Sequence, residues 1–258
     1  MKVVILAGGY GTRIRDVADD IPKPMIKIGP YPILLHIMKR YASYGMTDFI
    51  ICLGYKGETI KDFFLNYESH TRDFSITLGS SPKIEYLNNH DELGWKVSLV
   101  DTGIHSMTGS RLAKIQHLLG QDDFMFTYGD GVSDVNINKL LAYHKSHGKI
   151  LTVTGTRPPG RFGEIDSDPD GRVLGFNEKP QTTSGRVSGG FFVANSKLFD
   201  YLSKREDLVF EQEPIRSLVN DNQLRMFCHD GFWQPMDTSR DYQFLTKLYE
   251  SGEAPWII

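Results

Sequence analysis

The chain is 258 residues long, enough to bury a sizeable core and better suited to one large α/β domain than to two independent ones. It is 40% hydrophobic and 24% charged with a formal net charge of -3, a composition that excludes a polycationic surface for a nucleic-acid backbone, so an anionic substrate must meet local positive charge. The apolar amino-terminal run, Val3 to Ala7, is too short for a signal peptide or a bilayer span, which gives the expectation of a cytoplasmic protein with no membrane partner.

That run reads as a first strand and leads straight into LAGGYGTR, residues 6 to 13. Gly9 and Gly11 supply G-x-G, but Ile14 occupies the third glycine position, so the dinucleotide fingerprint fails. No G-K-[ST] follows at the spacing of a P-loop. What remains is a loop from Leu6 through Ala7, Gly8, Gly9, Tyr10 and Gly11 whose backbone N–H groups can approach a phosphate, with Thr12 and Arg13 as side-chain donors. On these residues alone a phosphate cradle and a tight structural turn both stand. PKPM follows, and its prolines restrict the backbone on either side of Lys23, a candidate second cation for the same ligand.

PILLHIMKRYASYG, residues 32 to 45, has helical periodicity, and DFIICLGY and DFMFTYGDG are further apolar strands ending in glycine. Continuous apolar strands alternating with helices imply a mostly parallel sheet covered on both faces. LAGGYGTR, GYKGE and TYGDG then share the carboxyl rim of the sheet, where ligands gather. LAKIQHLLG reads as a helix, with Arg111 at its start either exposed or donating to a ligand. His144 and His147 in AYHKSHG are expected on a solvated helix face. Beyond residue 150, ILTVTGTRP, FGEIDSD, GRVLGFNEKP and RVSGGFFVAN read as strands, and EPIRSLVN and SRDYQFLTKLYESG as helices. Cys52 and Cys228 sit in apolar, strand-like surroundings without metal-ligand spacing, and both are expected as buried thiols rather than a disulfide.

LAGGYGTRI followed by PKPM resembles the signature of the sugar-1-phosphate nucleotidyltransferases, and TYGDGVSD, RFGEI, NEKP, SGGFFV and GFWQPMDTSRD extend the resemblance, in order, over nearly the whole chain. Within that family YGDGV, VDTG, MTGSR, PPGRFG and GFWQPMDT are similar to the members that join CTP to glucose 1-phosphate. The resemblance implies an α/β, Rossmann-like nucleotidyltransferase fold: a mixed, mostly parallel sheet flanked by helices, with additional sugar-binding β elements. It implies one domain over residues 1–258, with 1–150 mainly nucleotide-binding and 151–258 mainly sugar-binding and oligomerising. It further implies Mg²⁺ as cofactor, a homo-oligomer, most simply a hexamer, and CDP-glucose as an entry to CDP-linked deoxysugars of bacterial surface polysaccharides.

The residue roles follow from the same resemblance. An oxygen of the sugar phosphate attacks the α-phosphorus of CTP and pyrophosphate leaves, so alignment and charge neutralisation replace a protein nucleophile. Arg13 and Lys23 would neutralise the leaving pyrophosphate, Lys179 of NEKP would hold the incoming sugar phosphate, and Asp130 and Asp237 would bind Mg²⁺. The nucleotide would lie against the loop from Leu6 to Arg13, Thr102, Arg111, Tyr128 and Gly129, with the base met by the backbone near Leu6 to Gly8 and the segment from Thr102 to Arg111, Arg111 donating to it. The sugar would meet Gly131, Glu178, Lys179, Ser188, Gly190 and Trp233. Ser188 stands where asparagine is expected before the paired glycines, which leaves strictness for glucose open. Another sugar 1-phosphate, another pyrimidine nucleotide, or a regulatory subunit without catalysis are the alternatives.

Overall fold

The computed structural model describes residues 1–11, 14, 20–158, 164–167, 170, 173–177 and 185–257. Strand β1, Lys2–Leu6, leads to the glycine loop, after which a 3-10 turn at Lys23–Met25 and the short strands β2, Lys27–Ile28, and β3, Tyr31–Pro32, precede helix α1, Ile33–Ala42. Strand β4, Asp48–Leu53, is followed by α2, Gly57–Leu65, α3, Tyr67–Thr71, and the ribbon of β5, Phe74–Thr77, and β6, Lys83–Tyr86. Next come β7, Lys96–Asp101, α4, Thr108–Lys114, α5, Gln116–Leu119, β8, Phe124–Tyr128, β9, Gly131–Ser133, and α6, Ile137–His147. The second half contributes β10, Leu151–Thr156, β11, Glu164–Ser167, β12, Val173–Asn177, β13, Val187–Ala194, α7, Glu213–Asn220, β14, Leu224–His229, β15, Trp233–Pro235, and α8, Ser239–Glu250.

Among the described residues, seven strands form one sheet in the order β14-β10-β13-β8-β1-β4-β7. Strand β1 lies parallel to β4 and to β8, with Leu6 level with both Cys52 and Tyr128. The three glycine-bearing loops therefore leave the sheet side by side, as the strand reading required. Strand β13 runs antiparallel to both β8 and β10. Its reversed sense carries the start of the strand, Ser188 to Gly190, to the rim where its neighbours end.

Val3, Val4 and Ile5 are all fully buried because both faces of the central strand are covered. Alternate side chains serve opposite layers. Val3 and Ile5 pack with Ile33, Leu34 and Ile37 of α1, whereas Val4 and Leu6 pack with Leu112, Ile115, Phe126 and Phe210. The rings of Phe126 and Phe192 stack 4.4 Å apart across β8 and β13, a pairing that contributes about 1 kcal/mol beyond area burial. Helix α6 starts at the side-chain cap of Asn136, which accepts from the Lys139 N–H at 2.9 Å.

Three sequence expectations need correction. Cys52 is buried, which pushes its thiol pKa up to about 12, but Cys228 is exposed; both are free thiols. Strand β14 is the sheet's edge, so alternate positions face outward. His144 is buried rather than solvated, and it and His147 both hydrogen-bond the Thr152 hydroxyl of β10 at 2.8 Å. Arg111 lies within α4 and is 4% exposed, neither at a helix start nor on the surface. Among the described residues no helix is long and apolar enough to cross a membrane.

Candidate active site

The flush ends of β1 and β8 place Ala7 to Gly11 beside Tyr128 to Asp130. The backbones approach closely there: Gly129 N–H donates to Leu6 O at 3.0 Å, and a Cβ at Gly129 would lie 3.2 Å from the Pro24 ring. Gly11 has φ +60° and its Cα faces Lys23, where an added Cβ would come within 3.1 Å of the lysine's own Cβ. A glycine at this point satisfies both demands. The PKPM turn is thus seated directly against the glycine loop. Around Gly9 an added Cβ would meet nothing within 4 Å, so its backbone faces open space.

Lys23 reaches from this turn to two carboxylates. Its ammonium donates to Asp130 Oδ2 at 2.7 Å and to Asp237 Oδ1 at 2.6 Å, from partners 107 and 214 residues away in the chain. The lysine side chain is 11% exposed, the aspartates 35% and 34%. Burial alone would lower the lysine pKa, but the two carboxylates, Asp130 foremost, hold it above the ordinary value.

A short strand pair brings the aspartates together. Strand β9 pairs antiparallel with β15, Gly131 opposite Pro235, and Met236 N–H donates to Asp130 O at 2.8 Å. Beyond it, the Asp241 carboxylate accepts from the backbone N–H groups of Asp237 and Thr238 at 3.1 and 2.9 Å and closes a capping box on α8. Gln234, 5% exposed, donates to the other Asp241 oxygen at 2.9 Å.

Two cavities meet at this cluster. The larger, of about 400 Å³, is walled by the loop from Leu6 to Gly11 on one side and by Ile104 to Thr108 on the other, with Lys23, Tyr128, Asp130 and Asp237 at its end. The smaller, of about 220 Å³, lies between Gly131, Ser188, Gly190 and Trp233 and shares Tyr128, Asp130 and Asp237 with the first. Trp233 is held by its indole N–H donating to Gly189 O at 2.8 Å. Gly190 has φ +77°, and an added Cβ would stand 2.7 Å from the Tyr128 ring. Across the mouth of the larger cavity the Tyr10 hydroxyl is hydrogen-bonded to His105 Nδ1 at 3.1 Å.

The structure therefore brings Leu6 to Gly11, Lys23, Tyr128, Gly129, Asp130 and Asp237 together at one cavity, and Gly131, Ser188, Gly190 and Trp233 at the adjoining one. Thr12, Arg13, Glu178 and Lys179 lie outside the described residues. Thr102 does not line either cavity; its hydroxyl donates to Leu53 O at 2.7 Å and accepts from Arg111. Arg111 does reach the larger cavity's wall, yet its hydrogen bonds go to the protein. It donates to Leu53 O, Thr102 Oγ1 and Gly103 O at 2.8, 2.7 and 2.9 Å, and to Gly8 O at 2.9 Å. These bonds make Arg111 an anchor joining the loops after β1, β4 and β7, beside its place on the wall of the larger cavity. Sequence reasoning did not single out Pro24, Thr127, Gly189, Pro235 or Asp241, although each is adjacent in sequence to a residue it had named or lies within a quoted motif.

Two aspartates with hard oxygens, both paired to one ammonium and a third exposed, suit a hard divalent cation whose other ligands would come from outside the protein. Among the described residues no group of three or more histidines, cysteines and acidic residues could hold a metal by itself. Fold and site together define a class: an α/β protein with two adjoining cavities at the carboxyl ends of parallel strands, meeting at Tyr128, Asp130 and Asp237. The chain belongs to the nucleotidyl transferase family, whose model matches residues 2–250. It is 47% identical to the glucose-1-phosphate cytidylyltransferases of Salmonella typhi and Salmonella typhimurium, over 99% of this chain and 98% of each of those. The crystal structure of HddC from Yersinia pseudotuberculosis has the same fold, with a TM-score of 0.69 at 22% identity, covering 96% of this chain and 99% of that one.

Proposed function

We propose that the protein transfers the CMP group of CTP to glucose 1-phosphate, giving CDP-glucose and pyrophosphate. The observation that carries the transfer is the junction, where Lys23, Asp130 and Asp237 stand at the contact of two cavities, one behind the glycine loop and one beside Trp233. The choice of CTP and glucose 1-phosphate is supported by the near full-length identity to the two Salmonella enzymes.

In this reading the nucleotide lies in the larger cavity and the sugar in the smaller, and both present phosphate to the junction. An oxygen of the sugar phosphate bonds to the α-phosphorus while the bond to the β-phosphate oxygen breaks, and pyrophosphate departs with that electron pair. Lys23 donates to the departing phosphates, with Arg13 in the same role and Lys179 on the sugar phosphate. Asp130 and Asp237 would hold Mg²⁺, which when bound spreads the phosphate charge and aligns the reacting groups. Trp233 and the backbone at Gly189 and Gly190 wall the sugar. The larger cavity is built mainly from residues before 131 and the smaller includes residues 188–237, which supports the division of labour between residues 1–150 and 151–258. The reading extends to a cytoplasmic homo-oligomer, a hexamer, for which sedimentation velocity is the direct measurement.

Pyrophosphate release measured over a matrix of CTP, UTP, dTTP and GTP against several sugar 1-phosphates tests the assignment. CTP with glucose 1-phosphate is expected to give the highest kcat/KM. A preference for UTP or dTTP would overturn the base assignment, and a preference for another sugar 1-phosphate would overturn the sugar.

A further inference from the structure

We infer that Lys23 is a placeholder cation: in the free protein it occupies the charge position between Asp130 and Asp237, so the site takes up a divalent cation only together with the nucleotide's phosphates. The inference rests on reading Asp130 and Asp237 as metal carboxylates of a nucleotidyl transfer site. It says more than that reading, because it assigns an order of events to the free protein.

The geometry is specific. The ammonium lies 2.7 Å from Asp130 Oδ2 and 2.6 Å from Asp237 Oδ1. A divalent cation bridging the same two carboxylates competes with the ammonium for oxygens that Nζ already holds. The lysine's backbone is set by the 3-10 turn between its two prolines, and its Cβ lies against Gly11. The backbone carrying each carboxylate is set as well: Met236 N–H donates to the Asp130 carbonyl at 2.8 Å, and the Asp237 N–H donates to Asp241 at 3.1 Å. A bare cation thus meets carboxylates that are already paired and repulsion from the ammonium beside them.

A bound triphosphate changes both sides of this competition. Its oxygens give Lys23 a new partner, and they complete the coordination that two aspartates leave open. The lysine exchanges carboxylates for phosphates as the carboxylates exchange an ammonium for the metal.

The test uses Mn²⁺ alone, counted as free ion by electron paramagnetic resonance, on the whole protein without nucleotide or sugar. Wild type is expected to bind Mn²⁺ weakly and Lys23→Met to gain about tenfold or more in affinity. Lys23→Met combined with Asp130→Asn is expected to lose that gain, which locates it at these carboxylates. Equal Mn²⁺ affinity in wild type and Lys23→Met overturns the inference. A low-micromolar Mn²⁺ dissociation constant for the wild type overturns it without any variant, should Lys23→Met fail to fold by circular dichroism. No substrate enters the measurement, so a failed CTP assay and a failed placeholder are told apart.

Discussion

The Asp241 carboxylate accepts the backbone N–H of Asp237 at 3.1 Å, so the residue that completes the capping box of helix α8 also fixes the segment carrying the second carboxylate of the junction. Removing it frees that segment while leaving the Asp237 side chain chemically intact. Asp241→Ala is expected to cost about 1 kcal/mol of stability through the lost cap, seen as a lowered Tm. It is also expected to lower kcat about tenfold or more through a misplaced Asp237. Asp241→Asn keeps an acceptor oxygen and should retain more of both. An unchanged kcat in Asp241→Ala would remove Asp241 from the positioning of the site.

Asp130→Asn removes a charge and almost no volume from a side chain that is a third exposed. Turnover is expected to fall about a hundredfold or more, while the thermal transition moves little. Near-normal turnover would take Asp130 out of the metal site.

Arg111 distinguishes an anchor from a base contact. Arg111→Met leaves the buried carbonyl of Gly8 and the Thr102 hydroxyl without this partner, and the loss expected is about 3 kcal/mol of stability together with a raised KM for the nucleotide. If Arg111 served the base alone, KM would rise with the urea midpoint unmoved, and that result would leave the base contact without the anchor.

Gly190→Ala introduces a Cβ at φ +77° and 2.7 Å from the Tyr128 ring. The backbone strain alone is expected to cost about 1–2 kcal/mol. Displacement of Tyr128 should raise KM for the sugar phosphate, measured at saturating nucleotide.

His36 sets a pH dependence. The indole N–H of Trp256 donates to its Nδ1 at 3.3 Å, so Nε2 carries the proton and donates to Ile28 O at 2.9 Å. Burial holds this imidazole, and those of His144 and His147, below the ordinary histidine pKa of 6.5. Above pH 6.5 the neutral ring prevails in both folded and unfolded chains and stability is full. As pH falls below 6.5 the unfolded chain binds protons first, and stability drops until the folded pKa is passed. Each such group steepens the decline by up to about 1.4 kcal/mol per pH unit. Tm should therefore fall from pH 7 to pH 5, with a shallower slope in His36→Gln; a flat profile would contradict the assignment.

Periodicity made the central strands, α1, α7 and α8 legible in the sequence, because continuous apolar runs and amphipathic stripes report burial directly. The β5–β6 ribbon was passed over. Its paired positions alternate, with Phe74 opposite Tyr86 and Ile76 opposite Ile84, but all its residues are exposed and it stands outside the alternation of strands and helices. Lys23, Asp130 and Asp237, which the structure brings together, were singled out because short motifs flank them, whereas Asp241 lay in GFWQPMDTSRD without a role. A capping interaction across four residues becomes visible only when the helix start is known. The anchoring role of Arg111 was not legible, because one residue among polar neighbours gives no sign of three loops converging on it.

The β9–β15 pairing has a consequence for synthesis. When the ribosome has completed β9, the nascent chain already carries the glycine loop, Lys23 and Asp130, yet the partner strand is still about a hundred residues from being made. The entropy of closing so long a loop grows only slowly with its length, so a late zipper is thermodynamically feasible. A truncated polypeptide stopping before Trp233 would keep most of the nucleotide wall and lack both the indole and the second carboxylate. On the proposed mechanism, competence for turnover then arrives with the final segment.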